Sequence, residues 1–187
     1  MRKNFGPQSW LYPMPVLIIA TFDDNGTPNA MNAAWGGVHD TNKIAVCIDP
    51  SHKTAENLQK RRAFTVSIGD AAHVVECDYL GIISGNAAPD KVTKAGLHAT
   101  KSNFVDAPLI DELPMTLECK LVSFDADAGC TVGEIVNISA DESILGSDGK
   151  ISLEKFTPIT FDPVHHNYVK LGSIAGNAFK DGLKLKK

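Results

Sequence analysis

The segment 43-KIAVCIDPSHKTAENL-58 places a strand, a turn and the start of a helix next to one another. Lys43 to Asp49 is a short apolar run with β preference, and Pro50 blocks its continuation. Thr54 opens a helix-compatible segment, which we expect to end at 60–62, where basic residues complement the negative end of the helix dipole. The sequence therefore predicts a helix N-terminus at the end of a sheet strand.

This turn carries groups that suit an anion. The first N–H groups of a helix have no partner within it, and they lie at the positive end of the helix dipole. The hydroxyls of Ser51 and Thr54 and the ammonium of Lys53 can join them, a combination that suits a phosphate. The alternative is that Thr54 caps the helix, with Asn57 as an imperfect capping-box partner and Lys53 in solvent.

The remaining pattern indicates a mainly β protein. Strands are expected at 16–22, 27–35, 63–68, 115–124, 130–139 and 166–171, with a hairpin turn at Asn25-Gly26 and a bulge or close approach at Gly133. A second helix is expected from Ala71 to Ile83, followed by an irregular helical excursion at about 86–108. The segment 108–114 is expected to be irregular and to lead into the next strand. Hairpin-linked strands with two interposed helices predict a β-barrel, and 187 residues fit one domain, 1–187.

The second predicted strand is unusual because its side chains are small or carry an amide. A core strand would normally carry Val or Ile, whereas small side chains let a flat ligand approach the backbone. A bend is expected next, at Trp35-Gly36-Gly37, and the Trp35 ring could stack on a ligand or plug the end of the barrel. The alternative is an edge strand beneath a helix, with its Asn side chains in water. The strand residues concerned are Asn29, Ala30, Met31, Asn32, Ala33 and Ala34.

Composition and motifs exclude several classes of function. A net charge of −4 disfavours nucleic-acid or anionic-membrane binding, and no apolar run approaches membrane-spanning length, so we expect a cytoplasmic protein. Glycine-rich dinucleotide and nucleoside-triphosphate signatures are missing from the sequence. The four cysteines form no C-x-x-C pair and are expected to be buried free thiols, and adjacent His165 and His166 do not predict a metal site.

Three segments in order carry a family resemblance: 29-NAMNAAW-35, 49-DPSHKT-54 with Asn57, and 168-YVKLGSIAGNAF-179. From about residue 13 to 182 the sequence resembles the flavin reductase-like, FMN-binding split-barrel family, and within it the flavoredoxin branch. The resemblance implies a homodimer of split barrels with FMN near the subunit interface and no side-chain nucleophile. It further implies that the phosphate lies against Ser51, His52, Lys53 and Thr54, the flavin ring along Asn29, Met31, Asn32, Ala33, Ala34 and Trp35, and its pyrimidine side near Asp78, Ser84 and Gly85.

One position departs from the family pattern. Related NAD(P)H-dependent flavin reductases commonly carry a Gly-Asp-His group where this chain has Ala128-Gly129-Cys130. The departure disfavours nicotinamide contact at Cys130. The resemblance therefore implies an FMN-dependent oxidoreductase or electron carrier with a redox protein partner, with NADH or NADPH as a possible donor. The alternative is a non-catalytic split-barrel protein that holds a flavin or haem as a sensor or store.

Overall fold

The computed structural model describes residues 1–186, in which twelve strands and a few short helices are arranged in antiparallel sheets. The strands are β1 (Met14–Pro15), β2 (Leu17–Phe22), β3 (Pro28–Ala33), β4 (Gly36–Asp40), β5 (Lys43–Cys47), β6 (Ala63–Ile68), β7 (Ala99–Lys101), β8 (Pro108–Ile110), β9 (Met115–Asp125), β10 (Cys130–Ala140), β11 (Ile159–Asp162) and β12 (Asn167–Lys170). The α-helices are α1 (Lys53–Arg61), α2 (Val74–Ile82) and α3 (Lys91–Lys94), and 3-10 turns lie at Glu142–Ile144 and Asp181–Leu185.

The main sheet has seven strands in the order β3-β2-β6-β9-β10-β5-β4 and curls into a half-barrel. This confirms the predicted mainly β split barrel. Smaller sheets, β1-β11-β12 and β7-β8, flank it. Strand β3 pairs only with β2, so one side of β3 is a free edge. The free edge leaves backbone N–H and C=O groups unpaired by any strand.

Two apolar cores cover the two faces of the main sheet. One lies between the sheet and α1 and contains Leu58, Phe64 and Val66. The other lies beneath α2 and contains Ala30 and Leu80. Because β3 contributes buried residues to both cores, its alternate side chains face opposite layers.

The predicted close approach at Gly133 is confirmed. The register of β10 against β9 shifts between Val132 and Gly133. A Cβ at Gly133 would lie 2.4 Å from Cζ of Phe64, so a side chain there would collide with the core. The glycine thus lets the bulged strand pack directly on the Phe64 ring.

Two expectations about strands differ from the structure. The bend expected at Trp35-Gly36-Gly37 is confined to Trp35, and Gly36 begins β4, which pairs with β5. A Cβ at Gly36 would lie 2.9 Å from the carbonyl oxygen of Ala45, so glycine permits this close pairing despite its weak β preference. The segment expected to be irregular at 108–114 begins with β8, whose Pro108 pairs with Lys101 of β7, a second strand that was not predicted.

The second helix begins later than predicted, at Val74. The carboxylate of Asp70 accepts hydrogen bonds from the N–H groups of Ala72 (3.1 Å) and His73 (3.0 Å), which hold the preceding residues in a turn. An aspartate that bonds backbone groups two and three residues ahead competes with helix formation at those positions. The turn explains the delayed start.

The cysteines are free, as expected, but they are not all buried. Cys77 and Cys119 are fully buried, and burial raises the pKa of each thiol to about 12. Cys47 is exposed and Cys130 is half-buried. Cys47 follows the buried Val46 in β5, so strand alternation turns it away from the core. Between residues 1 and 186, no helix is long and apolar enough to cross a membrane.

Candidate functional site

The N-terminus of α1 is open. Its N-cap residue, His52, has an extended backbone, and the His52 side chain makes no capping hydrogen bond. The N–H groups of Ala55 and Glu56 donate to the carbonyl oxygen of His52 over 3.0 and 3.2 Å. Those of Lys53 and Thr54 meet no acceptor among the described residues. These two donors point out at the positive end of the helix dipole.

The capping alternative for Thr54 is wrong. Thr54 is the second residue of the helix and is buried, and its Oγ1 accepts a 2.8 Å hydrogen bond from Nδ2 of Asn29 on β3. Asn57 does not complete a capping box, because its Nδ2 donates to Oγ1 of Thr21 over 3.1 Å. Both side chains bond across to strands that α1 packs against. This packing against the sheet leaves the helix N-terminus without a side-chain cap.

A cavity of about 210 Å³ lies at this N-terminus, between α1, β3 and the end of α2. It brings together seven of the thirteen predicted site residues: Asn29, Met31, His52, Lys53, Thr54, Ser84 and Gly85. A second hollow of about 200 Å³ adjoins it and shares Asn29, Lys53 and Gly85. We call the two neighbouring hollows together the α1 recess.

Gly85 shapes the α1 recess. A Cβ at this position would lie 2.2 Å from Oδ1 of Asn29 and 3.2 Å from Cβ of Lys53. The backbone at the end of the α2 segment therefore lies directly against Asn29 of β3 and Lys53 of α1. Any larger residue would displace one of these groups.

The cation of Lys53 is shared with a neighbouring carboxylate. Its Nζ lies 3.0 Å from Oε2 of Glu56, and the Lys53 side chain is 24% exposed. Glu56 also forms an ion pair with Lys60, whose Nζ lies 2.8 Å from Oε1 of Glu56. These two cations lower the pKa of Glu56. An exposed pair of this kind is weak, so an incoming anion can displace Glu56 from Lys53.

A buried lysine that was not predicted also lines the α1 recess. Lys91 of α3 is 2% exposed, and its Nζ donates to the carbonyl oxygens of Leu80 (3.0 Å) and Ile83 (2.8 Å) at the end of α2. Burial lowers the pKa of this lysine to about 8. The only sequence hint is indirect: α2 has no basic residue in its last turn, so its terminal carbonyl groups need a donor from elsewhere.

Asn32 and Asp78 lie in a different place, on the opposite face of β3. Nδ2 of Asn32 donates to the carbonyl oxygen of Cys77 (3.1 Å) and to the hydroxyl of Tyr168 (3.3 Å), which donates to Oδ1 of Asp78 (2.8 Å). Burial, followed by the bond to Asp78, raises the pKa of Tyr168 to about 12. This network fastens β3 to α2 and β12. The alternative of Asn side chains in water is wrong, because Asn29 is 5% exposed and Asn32 is half-buried, although β3 is an edge strand.

The end of the small-residue strand opens on a third hollow, of about 560 Å³, which we call the N-terminal groove. Ala34 and Trp35 line it together with Cys47 and residues 8–11 and 13–15 of the N-terminal segment, while Ala33 packs in the core. Trp35 is 57% exposed and does not plug the barrel.

Ser51 is turned toward another partner. Its N–H and its hydroxyl both donate to Oδ1 of Asp49, over 2.8 and 2.6 Å, and these bonds lower the pKa of Asp49. Its carbonyl oxygen accepts from Nδ2 of Asn86 over 3.2 Å, which joins the two loops that border the α1 recess. Ser51 thus shapes the turn without lining the recess.

The two adjacent histidines are placed in a turn. Nδ1 of His165 lies 2.9 Å from Oδ2 of Asp162, while His166 stacks on Phe161 with ring centroids 6.2 Å apart. Among residues 1–186, His, Cys, Asp and Glu side chains form no group of three or more that could hold a metal ion.

The curled antiparallel half-barrel, with a recess between its edge strand and a helix N-terminus, places the protein in the split-barrel class. Residues 9–165 match the family described as flavin reductase like domain, and the chain belongs to that family.

Similar proteins, two of them with solved structures, support this assignment. The chain is 36% identical to flavoredoxin of Desulfovibrio vulgaris (Miyazaki F), with a TM-score of 0.93 over 97% of this chain and 100% of that one. Flavoredoxin from Methanosarcina acetivorans is 25% identical, with a TM-score of 0.88 over 99% of each chain. An uncharacterized protein of Aeropyrum pernix is 27% identical over 155 residues, which span 81% of this chain and 58% of that relative. The sequence-derived family and fold are thereby confirmed, and a flavin-binding redox function is supported.

Proposed function

We propose that this protein binds FMN and transfers electrons through it, as a flavoredoxin-type electron carrier or oxidoreductase. One observation carries the proposal. The uncapped N-terminus of α1 opens on the α1 recess beside Lys53, and the Asn29 to Thr54 hydrogen bond joins it to the small-residue strand. A helix N-terminus that suits an anion thus adjoins a strand of small side chains, an arrangement that supports a ligand with a phosphate at one end and a ring system at the other.

The phosphate would be held by charge and by backbone donors. Lys53 and Thr54 both line the recess, and they would offer the phosphate their free backbone N–H groups together with the Lys53 ammonium and the Thr54 hydroxyl. Bonds between an ionised donor or acceptor and its partner are stronger than neutral ones. Ser51 would fix the shape of the turn through its bond to Asp49. His52, whose side chain makes no capping bond, would border the phosphate site.

The ring would lie along β3. The free edge of β3 presents backbone groups, Met31 and Ala34 line the hollows beside it, and Trp35 offers an exposed aromatic face. Ala33 packs in the core, so it would not contact the ring. The glycine at 85 lets the backbone of the Ser84-Gly85 turn approach the recess, where its N–H groups can bond the ring edge. Asn32 and Asp78 would act indirectly, because their bonds to Tyr168 hold β3 against α2.

When bound, FMN would supply the chemistry, since its N5 position accepts hydride or electrons. The chain itself would bind, orient and tune the flavin. Two lysines lie at the α1 recess, Lys53 at its margin and Lys91 buried beneath it, and positive charge favours a flavin that has gained electrons. No side-chain nucleophile is needed for this reaction.

The departure at Cys130 supports an electron donor other than NADH or NADPH. We therefore favour exchange with a redox protein partner in the cytoplasm, and we keep direct reduction by a nicotinamide as the competing outcome. A homodimer is also proposed. Large apolar side chains stand exposed near the proposed ring site and in the C-terminal tail, including Trp35, Val38, Ile174 and Phe179, and a partner subunit would cover such a surface.

The test is reconstitution. The purified protein is mixed with FMN, desalted, and its visible spectrum is recorded before and after addition of NADH, NADPH or a chemical reductant under anaerobic conditions. The proposal expects a retained flavin spectrum that the chemical reductant bleaches reversibly and that passes electrons on to an added acceptor such as cytochrome c. A protein that retains no FMN would overturn it. Retained FMN that no donor reduces would instead favour a sensor or store.

A further inference from the structure

Cys47 and Cys130 lie directly opposite each other on neighbouring strands. They are register partners in the antiparallel pair β5 and β10, and both are free thiols. Neither takes part in the proposed flavin site as a ligand. The other two cysteines, Cys77 and Cys119, are fully buried in the two cores.

The hydrogen bonds around the pair identify its geometry. The N–H of Cys47 donates to the carbonyl oxygen of Trp35 on the far side of β5, and the N–H of Ile48 donates to that of Gly129, each over 2.7 Å. Cys47 therefore does not bond Cys130 through the backbone, and the two form a non-hydrogen-bonded pair. In such pairs the Cα atoms are about 4.5 Å apart and the side chains share one face of the sheet.

This separation falls in the range of about 4.4 to 6.8 Å that disulfides span between Cα atoms. The shared face is the outer one, because Cys47 is exposed while its neighbour Val46 is fully buried. Cys47 also lines the N-terminal groove, which has a volume of about 560 Å³ and can admit a small molecule. The geometry thus provides two neighbouring thiols with access from solvent.

We propose that Cys47 and Cys130 form a reversible dithiol–disulfide pair that reacts with low-molecular-weight disulfides. The Cys47 thiolate attacks one sulfur of R–S–S–R, forms a mixed disulfide and releases R–S⁻, which takes up a proton. The Cys130 thiolate then attacks the Cys47 sulfur and releases the second R–SH. In total, two protein thiols are oxidised to one disulfide and R–S–S–R is reduced to two R–SH.

The assignment of roles follows from access. Cys47 is the more exposed thiol and faces the N-terminal groove, so it is the attacking residue, whereas half-buried Cys130 is the resolving residue. This pair would also give a role to Cys130, at the position where related reductases commonly have a histidine. The reaction needs no bound flavin, so it stands apart from the proposed function.

The experiment uses the reduced full-length protein and glutathione disulfide as the probe. Thiol titration should find two reactive thiols in the native protein and four after denaturation, because the sequence has four cysteines and two are buried. After incubation with glutathione disulfide, both reactive thiols should be lost, the intact mass should fall by two hydrogen atoms, and a Cys47–Cys130 linked peptide should appear. Added dithiothreitol should restore both thiols.

The single variants separate the two roles. Cys130→Ser should accumulate a mixed disulfide with glutathione on Cys47, because no resolving thiol remains, whereas Cys47→Ser should react more slowly, by at least about tenfold. Wild-type protein that carries glutathione on both cysteines without a link, or that keeps both thiols unreacted, would overturn the proposal. This result needs no variant, so it holds even if a substitution disturbs folding.

Discussion

The side-chain amide of Asn29 donates a 2.8 Å hydrogen bond to the hydroxyl of Thr54, and this bond joins the edge strand β3 to the first turn of α1. Both residues are buried and both line the α1 recess. The bond holds the proposed ring surface and the proposed phosphate site in a fixed relation. It also explains why Thr54, a common helix-capping residue, does not cap this helix.

The first prediction concerns this bond. Thr54→Val keeps the shape of the side chain but leaves the buried amide of Asn29 without its acceptor, so the free energy of unfolding should fall by about 1 to 3 kcal/mol. Urea unfolding measures the change, and Thr41→Val, at an exposed position, is the control. In a double-mutant cycle with Asn29→Ala, the double variant should lose about 1 kcal/mol less unfolding free energy than the sum of the losses in the two single variants. Fully additive losses would show that the two side chains are not coupled.

A second prediction concerns the close approach of Gly85. In Gly85→Ala the added Cβ would lie 2.2 Å from Oδ1 of Asn29, so that side chain must move and the α1 recess must change shape. FMN affinity should fall by at least about tenfold, on the scale of a lost hydrogen bond to a charged group. Fluorescence titration of FMN gives the affinity. Gly172→Ala, where a Cβ meets nothing within 4 Å, should bind FMN as the wild type does. Equal affinities for the two variants would count against the recess as the binding site.

The buried lysine predicts a pH dependence. The pKa of Lys91 is about 8 in the folded protein and 10.5 in a model peptide, so between these values the unfolded chain holds a proton that the folded chain lacks. Stability should therefore rise with pH through this window, by about 2 kcal/mol between pH 7 and 9.5, relative to a variant without the group. Urea unfolding of wild type and Lys91→Met at both pH values measures this difference.

The matched control for that experiment is Lys94→Met, which removes an exposed lysine from the same short helix. Its pH dependence should follow the wild type, since Lys94 lies at the surface, where the bond to Asp90 raises its pKa and keeps it charged throughout this window. Parallel curves for wild type and Lys91→Met would mean that Lys91 titrates as an ordinary lysine.

The proposed homodimer predicts a mass in solution of twice the 20.1 kDa chain mass. Sedimentation equilibrium measures it directly. Val38 lies on the outer edge strand β4, close in sequence to Trp35, and is 83% exposed. If the partner subunit covers this edge, Val38→Asp should weaken the association at least about tenfold. A monomeric wild type would refute the dimer. A dimer that Val38→Asp leaves intact would place the interface elsewhere.

Much of the architecture could be predicted from local pattern. Alternating or β-branched runs gave β2, β5, β6, β9 and β10, and the basic run at 60–62 correctly marked the end of α1, where Lys60 and Arg61 form the last turn. Strand β4 was missed because two glycines begin it, and only its close pairing with β5 makes them suitable. Tertiary contacts, which a linear sequence does not display, decide such segments.

The site was predictable to a similar degree. The turn and the small-residue strand were recognised from residue types, but which side chains of β3 face the recess depends on how α2 packs over it, and this places Asn32 with Tyr168 instead. The residues around Lys91 do not predict its burial at the recess, because its partners are carbonyl groups at the end of another helix. A buried lysine in an irregular segment reads as a solvated charge until the fold is known.

The most direct test of the account compares FMN with riboflavin, which lacks the phosphate. Wild-type protein should bind FMN at least about tenfold more tightly, and Lys53→Ala should weaken FMN binding by about 1.5 to 3 kcal/mol, or roughly 10- to 150-fold, with little effect on riboflavin. Lys43→Ala, which breaks a comparable surface pair with Asp40, is the control and should change neither affinity. Equal affinities of wild type for FMN and riboflavin, or an unchanged FMN dissociation constant in Lys53→Ala, would contradict a phosphate site at the N-terminus of α1.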